Sequence, residues 1–456
     1  MDARLGLRKL VDYPFQVLSW VDDDGYPVSV AVQARFDLAA GTASFETPTG
    51  LSLPAERDLS LTGSHIRPRP GYGYDERRHV TVWGRLLGPP AAGGEVALRA
   101  VRAWGWDEEE MPFVEYSERG LPQSRRYFAG LSEQFGRRVG PRLGRGWLFF
   151  RATRLPFLSA TFVPVLLGIA IAAKDGYFDP FAALLTIVGG AAVHLGLNVA
   201  NDVFDVEADE ANVTPTRFSG GSRVIQYGLV GRRQMARLSL GFYLLAAAIG
   251  LFLLATRYSP ALLIIGALGM FVSFAYTAPP FRLVYRGLGE ICVALGFGPL
   301  MLLGAYVVQT RGAITPEAVV VSIPVAILVA LILYVNEIPD RSGDEAAGKR
   351  TLPVRWPRDL VVNVYLAAAI LAFAVVVLGV LVGWLPIPAL LALAALPLVP
   401  RIYAGLQRYY DQPYGLMAFL GVNVQLHLFV GALLLIAYVL AIALTALVPG
   451  APVFFG

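Results

Sequence analysis

From about residue 155 onward the sequence is a succession of apolar runs, near 156–173, 181–200, 235–255, 260–276, 289–309, 317–338, 360–382, 385–400 and 424–447. Each approaches the roughly 20 apolar residues that a helix needs to cross a bilayer, where only helices and closed barrels satisfy their own backbone. The pattern predicts nine transmembrane helices. Residues 1 to about 146 are punctuated by Gly, Pro and charge, hold no such run, and are expected to form a separate soluble domain. The first fifteen residues include Asp2, Arg4, Arg8, Lys9 and Asp12, so no signal peptide is expected there.

Charge orients the helices. If the N-terminal domain is cytoplasmic, loops 2/3, 4/5, 6/7 and 8/9 share its side and carry fourteen of the basic residues, among them Arg217, Arg223, Arg282, Lys349, Arg350 and Arg401. The opposite loops hold only Lys174, Arg257 and Arg311. The positive-inside rule then predicts a multi-pass protein of the cell membrane with a cytoplasmic N-terminus and an external C-terminus. Eight arginines from Arg125 to Arg154, opposed only by Glu133, fit a segment lying against an anionic leaflet just before the first span. The net charge of +4 is explained by these loops, and no nucleic-acid partner is expected.

The second run ends in "NDVFDVEAD". On a helix, Asn198, Asp202, Asp205 and Asp209 fall at i, i+4, i+7 and i+11, a row of oxygen ligands on one face. The sixth run repeats the device in "YVNEIPDRSGDEAAGKRTLPVRW", where Asn336, Asp340 and Asp344 stand at i, i+4 and i+8 and Pro339 is expected to kink the helix. One cysteine, Cys292, excludes an intramolecular disulfide, and four scattered histidines leave no Cys/His zinc set. Two acidic rows on one side point to divalent cations between them, and oxygen-only ligands suit Mg²⁺. A solvated acidic helix end is the plain alternative for either row alone. Basic and glycine-rich residues follow each row: Arg217, Ser219, Gly220, Gly221, Ser222 and Arg223 after the first, Lys349 and Arg350 after the second. Acids for a metal beside donors for an anion imply a diphosphate. Lys349 and Arg350 also read as positive-inside anchors. His194 and His427 read as core histidines or, for His194, as a group orienting a substrate hydroxyl.

"NDVFDVEAD" resembles the NDxxDxxxD signature of the UbiA-type intramembrane prenyltransferases, and "DRSGD" followed by "AGKRTLPVR" resembles their second DxxxD signature. The likeness spans residues 147 to 456. With "RLPFLSATFVPVLLG", "SGGSRVIQYG" and "YTAPPFRLVYRGLGEICVALGFGPLMLLGAYVVQT" it is nearest the 1,4-dihydroxy-2-naphthoate prenyltransferases of menaquinone synthesis. In "NEIPD" the chain departs from the N-N-x-R-D of that branch, which leaves the acceptor open. The resemblance implies nine helices around a central cavity, an isoprenoid diphosphate bound through Mg²⁺, and an aromatic acceptor that is alkylated. Asp202, Asp205, Asp340 and Asp344 would carry catalysis, with Asp209 completing the metal set. Asn198, Asn201, Arg217, Ser222, Arg223, Tyr276, Asn336, Lys349 and Arg350 would bind substrate. Tyr276, Phe281 and Tyr285 could face an allylic cation or form an interfacial belt. Transfer to another acceptor is the nearest alternative. A CDP-alcohol phosphatidyltransferase would need a D-G-x-x-A-R run that is absent, and a cation transporter would place acids nearer mid-span.

In the N-terminal region, "FQVLSWVDDDGYPVSVAVQARFD" alternates apolar residues with period two around an Asp-Asp-Gly turn, and "GTASFETP" and "HVTVWGRLLG" add strand-like runs. A mainly-β small barrel is predicted over residues 1–120, a basic juxtamembrane linker over 121–154 and the nine-helix domain over 155–456. Residues 10 to 90 resemble the flavin-binding split barrels related to pyridoxamine phosphate oxidase. That resemblance implies FMN or a deazaflavin, with Arg57, Ser64, His65 and Arg67 as candidate ligands, or a barrel that has lost its cofactor.

Overall fold

The computed structural model describes residues 1–447 apart from 69–73, 90–93, 138, 141–142, 213–214 and 217. The chain forms two compact units, Met1–Arg119 and Gly120–Gly456, each with its own apolar core.

In the first unit, helix α1 (Ala3–Leu10) precedes strands β1 (Gln16–Val21), β2 (Pro27–Val32), β3 (Arg35–Asp37), β4 (Thr42–Glu46), β5 (Leu59–Pro68), β6 (Tyr74–Leu86) and β7 (Glu95–Asp107). The β1–β2 hairpin sets Leu18 opposite Val30 and Trp20 opposite Val28, around Gly25 at φ +86°. Alternation places Leu18 and Trp20 in the core, as period two requires. All pairings are antiparallel, in the order β2-β1-β5-β6-β7-β4-β3. The unit is mainly β as expected, but its sheet is open rather than a closed barrel. The edge strands β2 and β3 do not pair with each other, and β3 has only three residues to offer. The sheet curls around one core that joins Leu18, Phe45, Leu59, Leu61, Val82 and Leu98 to Leu7 and Leu10 of α1. Gly6 lets α1 approach β7 closely, since a Cβ there would lie 2.3 Å from the Ala103 Cβ.

In the second unit, nine helices among the described residues are long and apolar enough to cross a membrane, which makes this a multi-pass membrane protein. Spans 1 to 9 are Leu155–Lys174, Pro180–Phe204, Arg232–Thr256, Pro260–Thr277, Gly289–Thr310, Pro316–Ala346, Arg358–Leu381, Ile387–Tyr409 and Pro413–Thr445. Span 6 is the central one: 67% of its apolar window is buried, against 22% for spans 3 and 4. It runs on as helix through Pro339 to Ala346, so the second acidic row lies within one continuous helix. Span 2 instead ends at Phe204, and after Asp205 a short helix, Val206–Ala211, carries Asp209. Span 8 is irregular, tightly wound over Ile387–Ala395 and helical again from Leu398, among four prolines. Span 9 starts before the apolar run because Asn423 is satisfied inside the core. It donates to the Leu331 carbonyl at 3.0 Å and accepts from the Tyr365 hydroxyl at 2.8 Å. The segment expected to be a linker is largely helical, over Phe113–Phe135 and Arg145–Thr153.

Candidate functional site

The ends of spans 2 and 6 meet at a cavity of about 160 Å³. Asn212, just past the short helix, donates to Asp340 Oδ1 at 2.6 Å, and Lys349 Nζ lies 2.7 Å from Asp205 and 3.4 Å from Asp344. One amide and one ammonium thus tie the two acidic rows together.

Each row is held by donors that its spacing does not reveal. Asp202, 2% exposed, accepts from Arg154 Nη2 at 2.6 Å and from the Ser222 N–H at 3.2 Å. Asp205 accepts from Asn201 at 2.7 Å, from the Tyr285 hydroxyl at 2.9 Å and from Thr277 at 3.3 Å, besides Lys349. Asp340 accepts from the Gly220 N–H at 2.8 Å. The loop after the first row therefore reaches both rows through its backbone, Ser222 to one and Gly220 to the other. Gly220 and Gly221 sit at φ +77° and +74°, and a Cβ on Gly221 would fall 2.2 Å from Asp209 Oδ2, so this passage is open only to glycine.

The electrostatics follow from burial against charge. Burial, with the Asp202 charge second, pushes the Asp209 carboxyl up to about 8; within hydrogen-bond distance it has the Gln226 amide at 3.4 Å. Burial alone would depress Lys349, but Asp205 and Asp344 overturn it and hold the ammonium above its ordinary range. Arg154 is likewise opposed by burial and held charged by Asp202, Asp209 and Asp340. Burial and the neighbouring Asp205 raise the Tyr285 hydroxyl, keeping it a donor.

A second, apolar cavity of about 460 Å³ lies among spans 2, 3, 4 and 5. It shares His194, Leu197, Tyr276, Val293 and Phe297 with the polar cavity, so an elongated ligand could place a charged head in one and a hydrocarbon tail in the other. His194 is a satisfied core histidine, with Nδ1 2.8 Å from the Thr161 hydroxyl and its ring edge-on to Phe297.

Residues 161–423 match the model of the UbiA prenyltransferase family, which is more than half of the chain. The chain belongs to the UbiA prenyltransferase family. It is a membrane prenyltransferase. Its relatives include a 2-carboxy-1,4-naphthoquinone phytyltransferase of Synechocystis sp., 30% identical over 64% of this chain and 92% of that one. A 1,4-dihydroxy-2-naphthoate octaprenyltransferase of Bacillus subtilis is 28% identical over 52% and 75%, and one of Escherichia coli is 29% identical over 47% and 70%. Among solved structures, a UbiA homolog from Aeropyrum pernix K1 superposes with a TM-score of 0.48 at 16% identity, covering 61% of this chain and 97% of that one. Another, from Archaeoglobus fulgidus and bound to GPP and Mg²⁺, gives 0.40 at 16% identity, covering 63% and 99%.

Within this UbiA chain the residues singled out from sequence fall into three groups. Asn198, Asn201, Asp205, Asp209, Tyr276, Asn336, Asp340, Asp344 and Lys349 line the polar cavity, and Asp202 and Ser222 are bonded just behind its wall. Arg223 and Arg350 do not line it. The Arg223 guanidinium clamps the backbone carbonyls of Asp209 and Asn212, and Arg350 is exposed, giving its N–H to Tyr285. Arg217 lies outside the described residues. Arg154, Asn212, Thr277 and Tyr285 supply bonds that the spacing of the acids alone does not reveal, and Arg154 is the last of the eight arginines that precede span 1. Among the described residues no three His, Cys, Asp or Glu side chains converge tightly enough to hold a metal ion by themselves. The five aspartates of the expected metal set are spread over span 2 and its C-cap, the short helix after it, and span 6.

Of the flavin candidates, Ser64, His65 and Arg67 share β5 and Arg57 stands apart from them. Arg57 donates to the Val21 and Asp22 carbonyls at 3.1 and 2.7 Å, while His65 and Arg67 both face Glu76. Arg57 lies in the bend before β5.

Proposed function

We propose that this prenyltransferase joins the allylic carbon of an isoprenoid diphosphate to a ring carbon of a hydroxylated aromatic acceptor of the 1,4-dihydroxy-2-naphthoate type. The observation that carries this reading is the bridging of the two acidic rows, Asn212 to Asp340 and Lys349 to Asp205 and Asp344, at a polar cavity that adjoins an apolar one. The acceptor class rests on the naphthoate and naphthoquinone prenyltransferases among the relatives.

The donor set fits Mg²⁺. It is all oxygen, and Asn336, a residue of the cavity lining, has a buried Oδ1 with no partner among the described residues. Asp202, Asp205, Asp209, Asp340 and Asp344 would hold the metal, which would supply Lewis-acid neutralisation of the diphosphate. The chain's own residues do the rest. Arg154 and Lys349 place fixed positive charge where the leaving oxygens gain negative charge as the C–O bond breaks. The Gly220 and Ser222 N–H groups hold Asp340 and Asp202 in place. Leu197, Val293 and Phe297 exclude water from the cation that the departing diphosphate leaves behind. No observation on the β unit favours a flavin, and none is proposed.

Purified full-length protein incubated with Mg²⁺, prenyl diphosphates of several lengths and a panel of hydroxylated aromatics should yield a product heavier by the prenyl group. Release of prenol with every acceptor, and no alkylated ring, would remove the acceptor reading. We further propose that the N-terminal unit and both rows face the cytoplasm. Cysteines at the exposed Ala211 and Ala346 should then react with impermeant reagents from inside only, and one at Ala313 from outside; labelling of Ala211 and Ala346 variants from opposite faces would exclude it.

A further inference from the structure

Span 8 changes character along its length. Over Ile387–Ala395 its large exposed side chains are Ile387, Leu390 and Leu391, whereas the helix from Leu398 presents Pro400, Arg401, Ala404, Gln407 and Arg408. These five follow one another at steps of three and four residues along one arc, while Val399, Ile402, Gly405 and Leu406 are buried. The buried face meets span 9: a Cβ on Gly405 would fall 2.2 Å from Phe419 Cδ1, and Tyr409 stacks on the same ring at 5.6 Å.

Two charges lie on the exposed arc. Arg401 is the fifteenth of the 23 residues of this span, where a charge turned toward hydrocarbon is costly. It has no hydrogen bond or ion pair with any of the described residues. Arg408, two turns further and roughly 10 Å along the axis, has only the Tyr409 ring, 5.3 Å from its guanidinium carbon. The other two arginines at this corner are engaged. Arg358 donates to Asp411 at 3.2 Å and to the Gln407 carbonyl, and Arg341 donates to the Tyr410 carbonyl at 3.1 Å and to Asp411. Asp411 is thus already shared by two guanidiniums, and the unmet positive charge falls on Arg401 and Arg408.

We propose that Arg401 and Arg408 hold the phosphate of an anionic phospholipid whose acyl chain runs over Leu390, Leu391 and Leu396. A guanidinium fork matches phosphate oxygens and sheds its water more readily than an ammonium. Ala404, between the two arginines on the arc, leaves room for the headgroup. The leucines are exposed on the same span, so headgroup donors and an apolar bed follow one another along it. A soluble anion would use only the first of these, and a zwitterionic lipid would bring a cation of its own toward two arginines. An arginine that merely reaches up to water predicts no preference among lipids.

The test uses the full-length protein in detergent micelles, with phosphatidylglycerol or phosphatidylcholine added and the retained lipid counted by native mass spectrometry. Phosphatidylglycerol should be retained in preference to phosphatidylcholine, and inorganic phosphate should not displace it. The double variant Arg401→Gln/Arg408→Gln should retain about tenfold less phosphatidylglycerol, as two basic residues at an anionic surface predict. Ala404→Trp, which keeps both charges and fills the space between them, should also lose retention, and it carries the test if the arginine pair fails to fold by circular dichroism. A control pair, Arg232→Gln/Arg233→Gln at the exposed start of span 3, should stay within about twofold of wild type. Equal retention of the two lipids, near-normal retention in the arginine pair or in Ala404→Trp, or an equal loss in the control pair would each overturn the proposal. Displacement by inorganic phosphate would overturn it in favour of a soluble-anion site.

Discussion

Replacing Arg154 by methionine would expose how far the acidic rows depend on one guanidinium. Arg154 Nη2 donates to Asp202 Oδ1 at 2.6 Å, with side chains 22% and 3% accessible. Removing one partner of a buried ion pair typically costs about 3 to 5 kcal/mol, because a charge remains uncompensated; the partial exposure of Arg154 puts this case near about 3. Asp202 would keep the Ser222 N–H, and the methionine would keep most of the packing of the arginine stem. If Asp202→Asn is already present, the same replacement should cost about 1 kcal/mol, so the coupling between the two should be about 2 kcal/mol. Denaturant unfolding of the four proteins in Mg²⁺-free detergent micelles, followed by circular dichroism at a fixed detergent mole fraction, closes the cycle. A coupling below about 0.5 kcal/mol, within the additivity expected of independent sites, would refute the claim that Arg154 compensates Asp202.

Asp340→Asn should lower prenyl transfer by about 100-fold or more at saturating Mg²⁺, the cost of a lost preorganised charge, and activity near wild type would remove the second row from the mechanism. Gly221→Ala should destabilise the protein by about 1 to 2 kcal/mol from the left-handed backbone alone and should also cut activity, because its Cβ displaces the Asp209 carboxylate; unchanged melting would contradict the φ of +74°. In the β unit, burial holds His79 below its ordinary pKa, its ring edge-on to Trp104 at 5.4 Å. A base that binds its proton later when folded gives stability that is complete above about pH 6.5 and lost as pH falls below it, so His79→Phe should flatten the acid side of the melting curve. An equal slope in both proteins would exclude that histidine.

The sequence by itself determined the membrane architecture and the identity of the acids. Spanning helices are set by local length and apolarity, so the nine runs read directly as the nine spans found among the described residues, and acids three or four positions apart share a face wherever the helix continues. It also determined that the N-terminal unit is mainly β, since period-two alternation is local. The partners of those acids were decided only by tertiary structure. Arg154 looked like one of many leaflet-facing arginines, yet the αL turn at φ +50° between the helix Arg145–Thr153 and span 1 aims it at Asp202. Arg223, which the motif presents as an anion ligand, closes on the carbonyls of Asp209 and Asn212 at the end of the short helix. The sheet's open order and the absence of a tight metal cluster among the described residues are likewise long-range outcomes. Glu337 shows the limit most clearly: the sequence marks it as a departure in "NEIPD", but only the packing of span 5 against span 6 leaves its carboxylate facing another acid with no donor. Periodicity fixes which face a side chain occupies, while the neighbour that meets that face depends on contacts between residues far apart in the chain.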